Sequence, residues 1–292
     1  MSLLQAILLG IVQGLTEFIP ISSTAHLVLA GRVMNLALTP EQLTASIAVI
    51  QLGTLIAVIV YFAGDIWRIT RAFIHDHFVL LKDGRHDQFN RKNDHARLSQ
   101  EAWLGWLVII GSLPVGIVGL MFKKQIEGSF TKNLWVIATM MVAIALLLAV
   151  AELVGKKRRR MQELGIGDAL AVGFAQCLSL IPGSSRSGST IMGGLFANQT
   201  RETAARFSFL LSMPAIAGSG LLEMKEAFQT LPHDSLATLA IGTLVSAIVG
   251  YASIWFLLRF LRTHTTGVFI GYRLILGAAI LIMLFAGRIT PL

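Results

Sequence analysis

The chain has 292 residues, 54% of them hydrophobic and 14% charged, with a mean hydropathy of +0.71. A soluble domain of this length carries far more surface charge, so that class is excluded. The net charge of +8 and pI of about 10.1 would suit nucleic acid in a soluble protein, but here Lys and Arg cluster between apolar runs, the pattern of a membrane protein, and no nucleic-acid partner is expected.

The first segment, residues 3–34, is apolar at both ends and interrupted by Glu17, Pro20, Ser22, Ser23, Thr24 and His26. As one helix it would run about 48 Å against a hydrocarbon core of about 30 Å, and neither half could span alone. Polar groups and a broken backbone at that depth are tolerated where they line a cavity, which predicts a re-entrant helix–break–helix. No positive n-region or small-residue cleavage site marks a removable signal peptide. A first crossing follows at 45–63. The loop 64–102 reads as a short amphipathic piece plus a flexible loop, and crossings at 103–122 and 133–153 come next. Residues 167–198 repeat the opening pattern: an apolar lead to Pro182, the stretch Gly183-Ser184-Ser185-Arg186-Ser187-Gly188-Ser189-Thr190, then a second short apolar helix. Three more crossings, 204–224, 236–258 and 267–287, complete the chain. The lone cysteine, Cys177, excludes an internal disulfide and a cysteine metal site, and reads as a packing residue.

The two interrupted segments align. Gly10, Gln13, Leu15 and Thr16 match Gly173, Gln176, Leu178 and Ser179; after a one-residue slip Ile19-Pro20 and Ser22-Ser23 match Ile181-Pro182 and Ser184-Ser185. Ile110-Gly111-Ser112-Leu113 likewise matches Ile241-Gly242-Thr243-Leu244. This predicts one integral membrane domain over 1–292, built from two halves of about 1–153 and 166–288. Each half holds one re-entrant pair and three crossings. Three is odd, so the halves are inverted, and such repeats put their site at the midplane between broken helices. The fold class is therefore all-α and polytopic, with six transmembrane helices plus two re-entrant helix pairs. Sixteen basic residues, in 64–102, Lys156 to Arg160, and Arg201, Arg206, Arg259 and Arg262, fall on one face; six, Arg32, Lys123, Lys124, Lys132, Lys225 and Arg288, fall on the other. The first face is then cytoplasmic, 64–102 is a cytoplasmic loop, and both termini lie outside.

The chemistry sits in the breaks. Gln13 and Glu17 share a helix face, and a carboxylate at membrane depth is functional by default. Ser23 and His26, three apart, share a face of the next half-helix. Arg186, between Ser185 and Ser187, offers a planar fork for phosphate oxygens. Each break starts a helix, whose free N–H groups bind anions. Glu17 would repel a diphosphate by about 4 kcal/mol at 4 Å and an effective dielectric of 20, so a divalent cation, Mg²⁺ or Ca²⁺, is expected between them.

Gln13-Gly14-Leu15-Thr16-Glu17-Phe18 with Pro20-Ile21-Ser22-Ser23-Thr24-Ala25-His26, and Pro182 to Thr190, resemble the two signatures of the undecaprenyl-diphosphate phosphatases, the bacitracin-resistance family. The resemblance covers essentially the whole chain. It implies metal-dependent removal of the terminal phosphate of undecaprenyl diphosphate, the lipid carrier of cell-wall synthesis, at the outer face of the bacterial plasma membrane, with the lipid substrate and the bilayer as partners. Gln13 and Glu17 stand at the pair tied to metal and catalysis, and with Gln in the first place Glu17 carries the metal. Ser23 and His26 match the nucleophile and the acid/base, and Arg186 matches the phosphate-binding arginine. Ser22, Thr24, Ser184, Ser185, Ser187 and Thr190 surround the phosphates, and Arg273, in Gly271-Tyr272-Arg273, joins the substrate-binding set.

A water route, with Ser23 only holding phosphate, stays open beside serine attack. The competing function is a polyprenyl-phosphate flippase, which broken-helix repeats also build; it needs phosphate donors but no nucleophile. The oligomeric state is open, with a homodimer as one option.

Overall fold

The computed structural model describes residues 1–36, 38–83, 98–122, 133–230 and 236–291, with backbone alone at 40, 41, 219 and 221–230. Among them the α-helices are α1 (Leu3–Phe18), α2 (Ser23–Val33), α3 (Pro40–Tyr61), α4 (Ala63–Asp83), α5 (Gln100–Met121), α6 (Leu134–Val154), α7 (Ile166–Cys177), α8 (Arg186–Phe196), α9 (Arg201–Thr230), α10 (Leu236–Leu261) and α11 (Gly267–Phe285). Among the described residues five helices are long and apolar enough to cross a membrane, α5, α6, α10, α11 and α3 from Gln42; Leu3–Phe18 and Ile166–Leu180 are shorter apolar helices. The chain is thus an all-α polytopic membrane protein. In α6, Leu134, Ile137, Ala138, Met141, Ile144 and Ala145 are buried on one side, while Leu146, Leu147, Val150 and Leu153 are exposed on the other. An all-round apolar helix of this kind suits a protein interior on one face and lipid on the other.

The segment after the first crossing is longer than the sequence suggests. In place of a short piece, α4 runs for 21 residues directly from the end of α3. Its inner face packs on α5, with the Phe73 ring over Gly105 and the Trp106 indole N–H donating to His77 Nε2 at 3.0 Å. Its outer face exposes Trp67, Ile74, Phe78 and Leu81, the spacing of a helix lying in a membrane interface. Asp76 accepts the Ser99 N–H at 2.8 Å, and hydrogen bonds from Ser99 hold its carboxyl below the usual carboxylate range. Residues 84–97 of the loop, with Arg85, Arg91, Lys92 and Arg97, lie outside the described residues, as do Lys123, Lys124, Lys132 and the side chain of Lys225.

Both apolar leads stop where a break was predicted. Ile19 ends α1 in extended backbone, as a residue before proline prefers. α2 restarts after Ser22, whose hydroxyl accepts the Ala25 N–H. α8 restarts after Ser185, whose hydroxyl accepts the Gly188 N–H. Both serines cap a helix with φ in the left-handed region, 79° and 68°, a conformation that costs a non-glycine residue about 1–3 kcal/mol. These two caps correct the register between the segments. Gly10 and Gly173, Ser22 and Ser185, the helix ends Val33 and Phe196, and the positive-φ residues Asn35 and Asn198 are each 163 positions apart. The one-residue slip is therefore unnecessary: proline marks each break but sits one position differently in it, and Gly183, φ 91°, stands where Pro20 stands.

The crossings repeat as well. α1 packs on α10 and α7 on α5. A Cβ at Gly10 would lie 2.4 Å from the Gly242 carbonyl oxygen, and one at Gly173 would lie 2.4 Å from that of Gly111. The two matched glycine pairs of the sequence are thus two backbone-to-backbone contacts. Equivalent helices also meet each other, α3 with α9 and α6 with α11.

Basic residues from the two cytoplasm-assigned loops, from α9 and from just past the end of α10 converge at one end. Arg68 and Arg206 share Asp65, Lys157 and Arg201 share Glu152, and Arg262 pairs with Glu202. A cavity of about 760 Å³ opens among them, lined by residues such as Arg160, Arg201, Arg206 and Glu202, and no predicted site residue borders it.

Candidate active site

The polar residues of the first break gather on Glu17. The Gln13 amide and the Ser23 hydroxyl each donate to Glu17 Oε2 at 3.0 Å. Glu17 lies in the last turn of α1, where the negative end of the helix dipole opposes a carboxylate. The charge is held there by these two donors and by Arg186, whose NH2 is 3.7 Å from Oε1. Ser23 opens α2, so its hydroxyl stands beside the free N–H groups of a helix start.

Ser23 and His26 share a face, as their spacing implies, but are not bonded to each other. His26 Nδ1 is 2.7 Å from the Ser22 carbonyl oxygen and Nε2 is 2.6 Å from the Tyr272 hydroxyl. The group in contact with Ser23 is the Glu17 carboxylate. Ser22 is buried and spent on its cap, and Thr24 is exposed.

The two arginines differ sharply. The Arg186 guanidinium makes only the loose 3.7 Å ion pair, and its NH1 is buried with no partner among the described residues. Arg273 is fully buried. It donates to the carbonyls of Gly183 and Ser184 at 3.0 Å, Met141 at 3.2 Å, and Pro20 and Met140 at 3.4 Å. It therefore bolts both breaks to α6, and its N–H groups point at backbone. Ser187 adds a second tie, donating to the Ile19 carbonyl at 3.4 Å and meeting Ser185 Oγ at 3.2 Å. Thr190 donates to the Arg186 carbonyl at 2.7 Å and meets Ser208 of α9, so its hydroxyl is used within the fold. The hydroxyl of Ser184 is buried with no partner among the described residues, as is Gln13 Oε1.

Unsatisfied buried polar atoms are rare in native proteins and point to water or ligand. Here they include Arg186 NH1, Ser184 Oγ and Gln13 Oε1, and Gln176, the counterpart of Gln13, has both amide atoms unpartnered. A cavity of about 10 Å³ touches Glu17, Arg186, Ser187, Ser208 and Ser212, the room of about one water. Phe18, Phe209 and Phe62 stand between this centre and the charged end, with ring centroids 5.3 and 6.3 Å apart and Arg206 over Phe62.

Among the described residues no three His, Cys, Asp or Glu side chains group into a metal site. The donors present are hard oxygens: the Glu17 carboxylate, whose Oε1 takes only the long Arg186 contact, and the free Gln13 Oε1. That set fits Mg²⁺ or Ca²⁺ bound through few protein groups and completed by phosphate oxygens. Two further residues touch the breaks, Ser208 through Thr190 and Tyr272 through His26. Ser208 lies four before Ser212 within an apolar run, and Tyr272 is 246 positions from His26, so spacing alone carried no signal for either.

The family model of the bacitracin resistance protein BacA matches residues 6–279. A protein of Syntrophobacter fumaroxidans described as undecaprenyl-diphosphatase is 51% identical over 287 residues, 98% of each chain. Proteins with the same description from Chlorobium limicola and Mycolicibacterium gilvum are 45% identical over 298 residues, 99% of each chain, and 42% over 295, the whole of each.

Proposed function

Since this chain belongs to the family of the bacitracin resistance protein BacA, we propose that the two joined breaks are its active site, with Ser23 as nucleophile, Glu17 as its base and Arg186 as the phosphate clamp. The chain is a hydrolase of the bacterial inner membrane. It converts undecaprenyl diphosphate to undecaprenyl phosphate and inorganic phosphate, renewing the lipid carrier of cell-wall synthesis, and bacitracin resistance follows from it.

The observation that carries the site reading is the Ser23 hydroxyl donating to Glu17 at 3.0 Å, beside a guanidinium with an unpartnered buried N–H. A serine hydroxyl needs an adjacent base, and this is the carboxylate that supplies one. Arg186, Arg273 and Glu17 leave the buried centre with one surplus positive charge, which favours an anionic headgroup. In the proposed step the Ser23 Oγ–phosphorus bond forms and the bond from phosphorus to the bridging oxygen breaks. Undecaprenyl phosphate leaves with that oxygen, and the Ser23 proton passes to Glu17. Water then attacks the phosphoserine, the bond from phosphorus to Ser23 Oγ breaks and inorganic phosphate departs. The proton on Glu17 returns to Ser23, and His26, at the exposed edge of the break, takes the proton of the water. The α2 and α8 starts and Arg186 face the phosphoryl oxygens as charge develops. Glu17 and Gln13 would hold a divalent cation, which when bound neutralises charge between carboxylate and phosphates.

The finer architecture is part of the same reading: six crossings, with α9 as the sixth, and two re-entrant pairs in inverted halves. The uninterrupted 163-residue register and the paired glycine crossings support it. The site then opens to the outside, and the basic end faces the cytoplasm. The test is phosphate release from undecaprenyl diphosphate by purified protein, with and without chelator, alongside trapping of a phosphoserine at Ser23.

A further inference from the structure

His26 is held at both ring nitrogens. The Ser22 carbonyl, 2.7 Å from Nδ1, can only accept, so Nδ1 carries the proton and the neutral ring keeps its lone pair on Nε2. Ser22 is itself fixed as a helix cap, so this anchor is rigid. Nε2 meets the Tyr272 hydroxyl at 2.6 Å, and the two rings stack with centroids 5.6 Å apart and planes 11° from parallel. Tyr272 lies on α11, which reaches α2 by way of α6. Consecutive residues of a helix point about 100° apart. Arg273 therefore enters the carbonyls of both breaks while Tyr272, 42% exposed, covers the open edge of His26.

We propose that Tyr272 is a positioning residue of the phosphatase reaction, which fixes the rotation and tautomer of His26 by hydroxyl and ring together. The inference rests on the part given to His26 above. The hydroxyl donates to bare Nε2, and the same oxygen can accept from Nε2–H once the imidazole has taken a proton, so the ring keeps its partner in both states. Phenylalanine would keep the stack and leave Nε2 without a partner. Lysine or arginine would repel the protonated ring. A phenol at the edge of the site also leaves Nε2 within reach of a water or phosphate oxygen that shares or displaces its hydrogen bond.

A double-variant cycle on the purified full chain, with undecaprenyl diphosphate as substrate, tests this. Tyr272→Phe retains the ring at a half-exposed position, so its unfolding midpoint should stay at the wild-type value. The expected result is a kcat about tenfold lower with KM within about twofold, and a His26→Ala/Tyr272→Phe protein no slower than His26→Ala alone. Tyr272→Leu, which removes the stack as well, should be slower than Tyr272→Phe, again only while His26 is present. Wild-type kcat in Tyr272→Phe, or the same slowing in the His26→Ala background, overturns the proposal. An unimpaired His26→Ala protein overturns it together with the His26 reading, whereas an impaired His26→Ala beside an unimpaired Tyr272→Phe removes the Tyr272 role alone.

Discussion

Replacing Arg273 by lysine keeps the charge and removes the fork. The guanidinium serves five carbonyls. Those of Met140 and Met141 lie within α6, but the carbonyls of Pro20, Gly183 and Ser184 accept from no backbone N–H among the described residues. An ammonium has three donors on a flexible stem and cannot span both breaks. One or two break carbonyls would lose their partner, at about 1–3 kcal/mol each, so Arg273→Lys should lower stability by about 1–6 kcal/mol. Unfolding in detergent micelles followed by helical signal measures this, with kcat and KM taken well below the midpoint. The expected pattern is an earlier midpoint and a lower kcat, because Ser184 and Pro20 border the reacting groups. A wild-type midpoint with the whole effect in KM would refute the reasoning and put the guanidinium on the substrate.

Ser23→Ala should lose about 10³-fold or more in rate; robust turnover, with no phosphoenzyme trapped in the parent protein, decides for attack by water. Arg186→Lys should lose about 10²-fold in kcat/KM with its unfolding midpoint unchanged, since the side chain makes only one loose ion pair; near-normal activity would make Arg186 a structural partner of Glu17. Glu17→Gln should lose most activity and weaken the apparent affinity for Mg²⁺ or Ca²⁺, and a metal titration indistinguishable from wild type would end its metal role. In a Cys177→Ala background, Arg158→Cys should resist an impermeant thiol reagent in intact cells, and labelling from outside would invert the topology.

The residues of this chain determine, in their order alone, where helices start and stop, because those events are local. Apolar runs of bilayer length mark the crossings, so 103–122 is met by Gln100–Met121 and 133–153 by Leu134–Val154. The Ile-Pro steps and serine caps mark the breaks, and the paired Gly, Gln and Ser residues make the duplication visible. The amphipathic helix α4 was harder to read in length, because its mixed face lacks the unbroken apolar run that a crossing announces. Spacing along a helix says which side chains share a face and nothing about what lies opposite. That is decided when distant helices pack: α11 brings Tyr272 to His26 and Arg273 to the break carbonyls, and α9 brings Ser208 to Thr190. The register of the repeat was likewise decided by backbone conformation, since Ser22 and Ser185 share a left-handed φ that residue identity alone does not reveal. A carboxylate, an imidazole or a guanidinium takes the nearest partner able to satisfy it, and in this molecule that partner is set by tertiary packing: Glu17 has Ser23, His26 has Tyr272, and of the two arginines at the breaks Arg186 keeps an N–H with no partner among the described residues.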